Sequence, residues 1–439
     1  MITRFKSFSF TKKTLIINSA IMFIWWLVFN PGFYSGDSFA IIEMVKSAHL
    51  SSEWTAIWAI FIKVLTLSGS HPEFATLFFS QLLAFSVSIF ALTLFKGRTA
   101  MWSSAILSAT PLVGAMGITL WHDIPMTSGF LLAVAGVQRL KEKQSHAKVL
   151  LLLGIIFSSF RYNGLPTLIL ATLVLILFVP GKKRIALILV AIILAGVISS
   201  VLDSKFSPPV STHSDGLINW MRYDLSCYAA SSTDPEFFQK EFQGKATLQD
   251  WSSQSSCTWF NDSKVFYQRS AFIDQKIPSA WMALAKSDPV FVLSTHLRRN
   301  AYLNPIPLFG LPSMPFIHTT IEIPDKGIAF WNPSLSESLR IYPRSWNYLN
   351  YIFGYSGFWL LLIFLFAWWK KNSLYLAIGI LGLILNSSVF VFAIISDGRF
   401  SLFVLIAGQL MLIAEIVDRV SAVIGARKGS SSLSTRFQE

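Results

Sequence analysis

Charged residues are scarce in this chain, cysteines number only two, and nucleotide-binding motifs are absent. Charged residues make up 13% of the 439 residues, roughly half of the share usual in soluble domains. Hydrophobic residues make up 53% and the mean hydropathy is +0.55, which excludes a soluble globular protein of this length. The sequence contains no G-x-G-x-x-G loop after a strand and no Walker motif. Direct use of a nucleotide-activated substrate is therefore not expected.

The positive net charge has an explanation other than nucleic acid. The chain carries 36 basic and 23 acidic residues, a formal net charge of +13, which in a soluble protein would suggest binding to nucleic acid. Here many basic residues form short clusters between apolar runs, as the positive-inside rule requires of cytoplasmic loops. We therefore expect membrane lipids, and no nucleic acid, among the partners.

Ten apolar runs are long enough to cross a hydrocarbon core of about 30 Å. They cover residues 14–30, 74–95, 100–120, 124–139, 147–162, 165–180, 184–202, 346–369, 373–395 and 400–424. With a cytoplasmic N-terminus, the basic loops near residues 96–98, 139–148, 182–184, 370–371 and 427–428 all fall inside. The sequence thus predicts an all-α polytopic membrane protein with about ten transmembrane helices and both termini cytoplasmic. The first run is interpreted as an uncleaved signal anchor.

The apolar stretch 54–67 is interpreted as interfacial rather than transmembrane. It has about fourteen residues and includes Lys63, and counting it as a span would place the basic loops at 96–98 and 182–184 outside. We interpret it and residues 38–49 as helices at the outer interface, within a first external loop at 31–73. The chain then divides into a seven-span membrane domain at 1–202, an extracytoplasmic domain at 203–345, and a three-span membrane domain with a basic tail at 346–439.

The segment 203–345 is rich in Ser, Pro, Asp and aromatic residues, and we predict a mixed, mainly α-helical domain. Its pattern favours helices at 234–243 and 278–286, whereas four prolines exclude regular helix at 304–315. Both cysteines, Cys227 and Cys257, lie in this segment. Their placement predicts a disulfide in an oxidising compartment, with two unpaired thiols as the alternative.

Unusual polar residues flank the predicted spans on the external side. Ionisable groups near hydrocarbon cost several kcal/mol unless they are paired or hydrated, so their convergence on one face predicts a functional site. Structural ion pairs are the alternative. The candidate site residues are Asp37, Glu43, His71, His122, Asp123, Arg161, Tyr162, Asn163, Asp397 and Arg399.

Asp37 and Asp123 are the candidate catalytic carboxylates. Asp37 ends a Pro-Gly-Phe-Tyr-Ser-Gly-Asp sequence at the start of an interfacial helix, and Asp123 lies in Trp-His-Asp-Ile-Pro immediately before another helix. Each carboxylate could serve only as a helix N-cap. Two aspartates at the same interface nevertheless favour a general base or a metal ligand.

Arg161 and Arg399 lie where the positive-inside rule does not place basic residues. Such an arginine usually has an anionic partner. The partner is either one of the aspartates at positions 37, 123 and 397, or the phosphate of a lipid-linked substrate, which a guanidinium binds well. We favour phosphate for at least one of the two arginines.

A metal site is left open by the sequence. His71 and His122 lie far apart, and the two cysteines lack the CxxC spacing of a metal site. No cofactor is therefore assigned with certainty. A divalent ion such as Mg²⁺ or Mn²⁺, held by Asp123 and His122, remains an alternative.

The layout resembles that of the polytopic GT-C type glycosyltransferases. The matching features are an early external aspartate, interfacial helices in the first loop, a second external aspartate and a large external domain before the last spans. The motifs at 31–38, 121–125, 161–164 and 397–400 look like those of bacterial families that include serotype-converting glucosyltransferases. The chain departs from the pattern where Glu53-Trp-Thr-Ala replaces a His-Pro motif and where His122 replaces lysine before Asp-Ile-Pro.

The resemblance implies a sugar transfer, with glucose favoured, from a polyprenyl-phosphate carrier such as undecaprenyl phosphate to an envelope glycan such as the O-antigen of lipopolysaccharide. It implies Asp37 as the general base, an inverting displacement, and stabilisation of the leaving phosphate by Arg161 and Arg399 or by a metal at Asp123. His122 and Asn163 would orient the substrate.

The same resemblance implies a place in the bacterial inner membrane, with the site on the periplasmic side. A flippase and a cytoplasmic polyprenyl-phosphate sugar synthase are the implied partners that would supply the donor.

A transporter or flippase of lipid-linked sugars is the main alternative. Transporters tend to place substrate groups near the bilayer midplane, on broken helices and often in inverted repeats, and the sequence shows neither feature. A structural subunit that binds a partner through the external domain is a third class. It leaves Asp37, Asp123 and Arg161 without a role.

Overall fold

The chain is all-helical over the part that the structure describes. The computed structural model describes residues 9–47, 54–178, 182–206, 215–231, 234–251, 271–300, 303, 338–339, 341–342, 354–392 and 398–436. Helices account for 85% of these residues, and no β-strand occurs among them. An isolated parallel β-bridge joins Phe33 and Thr119.

The first ten helices cover the predicted N-terminal membrane domain. They are α1 (Phe10–Val28), α2 (Gly36–Ser47), α3 (Ala56–Leu65), α4 (Pro72–Leu94), α5 (Gly97–Ala109), α6 (Pro111–Gly117), α7 (Asp123–Lys141), α8 (Ala147–Ser158), α9 (Gly164–Phe178) and α10 (Lys182–Phe206). Both stretches interpreted as interfacial, 38–49 and 54–67, are thus largely helical as α2 and α3.

The remaining helices belong to the segment 203–345, which we call the polar segment, and to the C-terminal region. The polar segment contains α11 (Asp215–Ser231), α12 (Pro235–Glu241), α13 (Leu248–Trp251), α14 (Ala271–Ser287) and α15 (Pro289–Arg299). The C-terminal region contains α16 (Ser356–Lys370), α17 (Ser373–Phe392), a 3₁₀ helix (Gly398–Ser401) and α18 (Leu402–Arg436).

Within the described ranges, four stretches are long and apolar enough, by length and composition, to cross a membrane. They are Pro72–Leu94, Leu189–Phe206, Ser373–Val391 and Arg399–Ile424, and four shorter apolar helices accompany them. A helix needs about 20 apolar residues to span the hydrocarbon core. The chain is therefore a helical, membrane-associated protein, as the composition predicted.

The run at 100–120, predicted as one span, consists of two helices. α5 ends at Ala109, and α6 begins at Pro111 after an extended Thr110 with φ −67° and ψ 147°. The helical conformation is disfavoured for a residue before proline, and proline itself lacks the N–H that a continuous helix would use. Pro111 thereby converts one apolar run into two shorter helices.

The α7–α8 hairpin packs at very short range because glycines line the contact. A Cβ atom on Gly129 would lie 2.6 Å from the backbone N of Ser158, and one on Gly154 would lie 2.7 Å from the backbone N of Ala133. Such close approach leaves room only for hydrogen at these positions. Since the helices are antiparallel, the start of α7 at Asp123 and the end of α8 near Arg161 lie at the same end of the hairpin.

Two hydrophobic cores are present in the described residues. The larger includes buried side chains from α1 to α10 and from α16 to α18. The smaller lies in the polar segment, where Phe238, Phe242, Trp251 and Leu284 pack together among α11 to α14. Cys227 is buried in α11, whereas its predicted disulfide partner Cys257 lies outside the described residues.

Candidate functional site

The loop after α1 is held against the segment before α7 by backbone hydrogen bonds. The N–H of Phe33 donates to the carbonyl of Ile118 at 2.9 Å, and the N–H of Leu120 donates to the carbonyl of Phe33 at 3.1 Å. Gly32 permits this approach. Its φ is +112°, and a Cβ there would lie 2.6 Å from the carbonyl oxygen of Ile118.

Side-chain hydrogen bonds fix the start of α2 against the start of α7. The Ser38 hydroxyl donates to the carbonyl of Leu120 at 2.9 Å and accepts from the N–H of Ser35 at 3.0 Å. The indole N–H of Trp121 donates to the Ser35 hydroxyl at 2.6 Å. Asp37, in the first turn of α2, is therefore held next to the Trp121 segment.

The two aspartates occupy first-turn positions rather than N-caps. α2 begins at Gly36, so Asp37 is its second residue, and α7 begins at Asp123 with His122 at the N-cap and no side-chain capping hydrogen bond. An N-cap carboxylate would accept backbone N–H groups of the next turn. Both carboxylates instead contact arginine side chains.

Asp37, Asp123, Arg161 and Arg399 form what we call the four-charge cluster. Arg161 Nη1 contacts Asp123 Oδ1. Arg399 Nη2 lies 2.7 Å from Asp37 Oδ2, and its Nε lies 3.9 Å from Asp123 Oδ2. Asp123 thus bridges the two guanidiniums, and the formal charges of the cluster cancel.

Two aromatic rings support the guanidiniums of the cluster. The Arg161 Cζ lies 4.2 Å from the centroid of the Phe400 ring, and the Arg399 Cζ lies 5.1 Å from it. The Trp121 ring contacts Arg399 at 4.7 Å. Stacking on an aromatic face stabilises a cation and restricts its rotation. The two arginines are thereby held side by side.

Exposure separates the two carboxylates. The Asp123 side chain is 0% exposed and the Asp37 side chain is 46% exposed. Arg399 and Arg161 are 8% and 18% exposed. Asp37 is therefore the member of the cluster that is best placed to meet a substrate, while Asp123 is enclosed behind the arginines.

The electrostatic surroundings keep Asp37 ionised and His122 neutral. The Arg399 guanidinium lowers the pKa of Asp37 below its ordinary value, and this effect outweighs burial, which acts in the opposite direction. Burial lowers the pKa of His122 well below its ordinary value, and the charges of Arg161 and Arg399 lower it further. At neutral pH the site offers an ionised carboxylate beside an uncharged imidazole.

Three further predicted residues lie on the loops that carry the cluster. The His122 ring lies 6.1 Å from the buried ring of Trp58. Asn163 Nδ2 donates to the Ser388 hydroxyl at 3.4 Å, across to α17. The Tyr162 hydroxyl donates to the carbonyl of Trp54 at 2.9 Å, so Tyr162 connects its loop to the start of α3.

The other predicted residues are not brought into the cluster by the described contacts. Glu43 is an exposed residue further along α2. His71 lies at the N-cap of α4, where its Nδ1 is 2.8 Å from the Glu73 carboxylate. Asp397 lies outside the described residues.

The donor set at Asp123 does not fit a metal ion. One carboxylate oxygen contacts Arg161 and the other faces Arg399, and two guanidiniums at this position repel a divalent cation. Among the described residues, no group of three or more His, Cys, Asp or Glu side chains is gathered that could hold a metal ion. The positive charge at Asp123 is instead supplied by the two guanidiniums.

The sequence interpretation did not include the aromatic supports. Trp121 and Phe400 each lie next to a predicted site residue in a short motif, but ring contacts with arginines from other segments cannot be read from adjacency. Ser35 and Ser38 were likewise missed. A serine on either side of Asp37 was the available signal, because serine favours helix starts.

No family model, curated protein or solved structure matches this chain. An ionised, half-exposed carboxylate lies next to two preorganised guanidiniums. Such an arrangement can accept a proton and bind a phosphate in the same place.

Proposed function

We propose that this protein is a membrane glycosyltransferase of the GT-C type, which moves a sugar from a polyprenyl-phosphate carrier to a cell-envelope glycan. Glucose is the favoured sugar and O-antigen the favoured acceptor. The observation that carries the proposal is the four-charge cluster, in which an accessible carboxylate is placed beside an arginine pair. Group transfer from a phosphate carrier requires both functions, since one group must accept a proton while another stabilises the departing phosphate.

In this proposal Asp37 is the general base. Its ionised carboxylate removes the proton from an acceptor hydroxyl as the hydroxyl oxygen attacks the anomeric carbon. The bond between the anomeric carbon and the phosphate oxygen breaks, and the polyprenyl phosphate leaves with the electron pair. In-line attack inverts the anomeric centre.

Arg161 and Arg399 bind the phosphate of the donor in this proposal. A planar guanidinium forms two parallel hydrogen bonds to phosphate oxygens, and its charge stabilises the negative charge that develops on the leaving group. The pairing of Arg399 with Asp37 opens when phosphate competes for the guanidinium. Asp37 is then free to face the acceptor.

Asp123 is assigned a positioning role instead of direct contact with substrate. It is enclosed, and it contacts both arginines, so it sets the spacing and orientation of the phosphate-binding pair. His122, neutral beside the cluster, and Asn163 remain candidates for substrate orientation. The proposed mechanism uses no metal, because the two guanidiniums supply the positive charge.

The proposed setting is the bacterial inner membrane, with about ten spans, cytoplasmic termini and the cluster on the periplasmic side. The basic loops support this orientation through the positive-inside rule. A periplasmic site lacks nucleotides, so the donor must be built on its lipid by a cytoplasmic synthase. A flippase must then carry it across the membrane.

The proposal is tested by transfer of labelled glucose from polyprenyl phosphate to envelope glycan, in membranes that contain wild type, Asp37→Asn or Asp234→Asn at matched expression. Asp37→Asn keeps the size and removes the base, so a loss of 10²- to 10⁴-fold in rate is expected (about the contribution of a general base). Asp234→Asn is the matched control, because Asp234 caps α12 and asparagine caps equally well.

Full activity in Asp37→Asn would overturn the assignment of the base. If the wild type transfers sugar from none of the lipid-linked donors offered, the glycosyltransferase proposal fails. In that case, movement of the same lipid-linked sugars across vesicles that contain the protein would identify a flippase.

A further inference from the structure

The C-terminal end of α17 is capped by His296 of α15 and by Asn300, the residue that follows α15. Phe390 lies in the last turn of α17, where helix carbonyls have no intrahelical partner. Its carbonyl accepts from His296 Nδ1 at 2.9 Å and from Asn300 Nδ2 at 3.1 Å. Both lone pairs of this carbonyl are therefore occupied by side chains that come from a different part of the chain.

His296 is held on its other side by a buried carboxylate. His296 Nε2 lies 2.8 Å from Asp224 Oδ2, and the indole N–H of Trp281 donates to the same oxygen at 2.8 Å. Asp224 is 0% exposed and His296 is 5% exposed. Because a carbonyl only accepts, Nδ1 carries a proton.

The same end of α17 supports both arginine segments of the cluster. Asn386 Oδ1 accepts from the Ser401 hydroxyl at 2.8 Å, within the 3₁₀ helix that carries Arg399. The Ser388 hydroxyl accepts from Asn163 at 3.4 Å, in the loop that carries Arg161. The last two turns of α17 thus contact the helices of the polar segment on one side and the arginine segments on the other.

We propose that Asp224, His296 and Asn300 are positioning residues that hold the end of α17 and thereby set the places of Arg399 and Arg161. The expected effect on catalysis rests on the proposed function, whereas the effect on the position of the end of α17 does not. In this proposal, residues of α11 and of the end of α15 fix the spacing of the phosphate-binding arginines.

The structural part is tested by amide hydrogen exchange with mass spectrometry on the full-length protein in detergent. His296→Phe keeps a ring against Trp220 and Phe390 and removes both hydrogen bonds. Asn300→Asp replaces a donor by a carboxylate that repels the Phe390 carbonyl. His146→Phe, at an exposed position in the α7–α8 turn, is the matched control.

The expected result is that both variants raise exchange in residues 386–392 and 398–404 by tenfold or more, with α4 unchanged and the control like wild type. Unchanged exchange at the end of α17 would overturn the proposed role of Asp224, His296 and Asn300. So would an equal increase throughout the chain, which would indicate general destabilisation.

The catalytic consequence is tested with the same variants in the transfer assay. If His296→Phe and Asn300→Asp displace the arginines, we expect the KM for the lipid-phosphate donor to rise tenfold or more. The KM for the acceptor should stay unchanged. A fall in apparent kcat that is fully accounted for by a smaller folded fraction, with the KM for the donor unchanged, would overturn the positioning role. If wild type transfers no sugar, the proposed function fails. Hydrogen exchange still decides whether Asp224, His296 and Asn300 hold the end of α17.

Discussion

Arg399 connects the parts of the candidate site that differ most in exposure. Its guanidinium contacts the half-exposed Asp37 and faces the enclosed Asp123, and its plane is supported by Trp121 and Phe400. A lysine could supply the charge but neither the fork nor the stacked plane. Among the groups that set the pKa of Asp37, Arg399 has the largest effect.

The first prediction concerns the pH dependence of transfer in Arg399→Gln. A general base works only when ionised, so activity falls as pH drops through the pKa of Asp37. Arg399 lowers that pKa and burial raises it. Without the guanidinium, the largest effect that lowers the pKa of Asp37 is lost while burial still raises this pKa. The acidic limb of the pH–rate profile therefore shifts to higher pH. Arg399→Lys, which keeps the charge, should shift it less.

Transfer rates across a pH series in matched membranes measure this effect. The Asp37–Arg399 pair also contributes to the free energy of unfolding. This contribution is present above the unfolded-state pKa of Asp37 and is lost as pH falls through its lower folded-state pKa. An acidic limb that stays in place in Arg399→Gln would contradict Asp37 as the base.

The second prediction separates the two carboxylates. Asp123→Asn leaves Arg161 without its charged partner in an enclosed site, and removing one member of a buried pair costs about 3–5 kcal/mol of stability. Asp37→Asn, at a half-exposed position, should cost far less while still reducing transfer. Thermal unfolding in detergent measures the stability of Asp123→Asn, of Asp37→Asn and of the control Asp234→Asn. Equal stability of the two variants would contradict the positioning role of Asp123.

The α7–α8 hairpin is the element that brings Asp123 and Arg161 together. Its helices approach closely through Gly129, Gly136 and Gly154, each of which would place a Cβ less than 3.0 Å from the facing helix. Helix pairs in membranes rely on such small residues, because packing rather than the hydrophobic effect drives their association. The spacing within the cluster thus depends on contacts made well inside the hairpin.

The third prediction follows from this packing. Gly154→Leu forces α7 and α8 apart and should destabilise the protein by about 1–3 kcal/mol, the usual cost of overpacking. It should also reduce transfer, since Asp123 and Arg161 lie on the separated helices. Gly196→Leu in α10 is the control, because a Cβ on Gly196 meets no atom within 4 Å. Thermal unfolding and transfer assays measure both effects, and equal behaviour of the two variants would contradict the packing argument.

The distribution of basic loops determines how the whole molecule is expected to sit in the membrane. Lys141 ends α7 and Lys143 lies in the turn after it, whereas the polar segment lies between α10 and α16. The positive-inside rule predicts that the turn after α7 is cytoplasmic. With the proposed ten spans, the polar segment is expected on the external side.

The fourth prediction tests this orientation by cysteine labelling. In a variant without Cys227 and Cys257, a single Gln144→Cys should react with a membrane-impermeant thiol reagent only after the membrane is opened. A single Glu236→Cys at the start of α12 should react in intact spheroplasts. The same accessibility at both positions would contradict the topology, whatever the outcome of the transfer assays.

The sequence was sufficient to identify a helical membrane protein and most of the segments that meet at the site. Hydropathy and composition act locally, so apolar runs and their polar ends are visible in the linear chain. The break at Pro111 was missed, because the apolar run 100–120 was predicted as one span. The same local character explains why Asp37, Asp123, Arg161 and Arg399 were recognised as unusual. Each is an ionisable residue at the end of an apolar run.

The pairing and the exposure of these residues were decided by the fold. Asp37 and Asp123 look alike in sequence, since each precedes or begins a helix, yet one is half exposed and the other fully enclosed. Asp123 is in contact with Arg161 and Arg399, which come from distant segments, and the start of α2 is held against the segment before α7 by contacts such as Ser38 to Leu120. Likewise, nothing local to His296 indicates Phe390 as its partner. Such contacts join distant segments, and their energy depends on packing that no single segment contains.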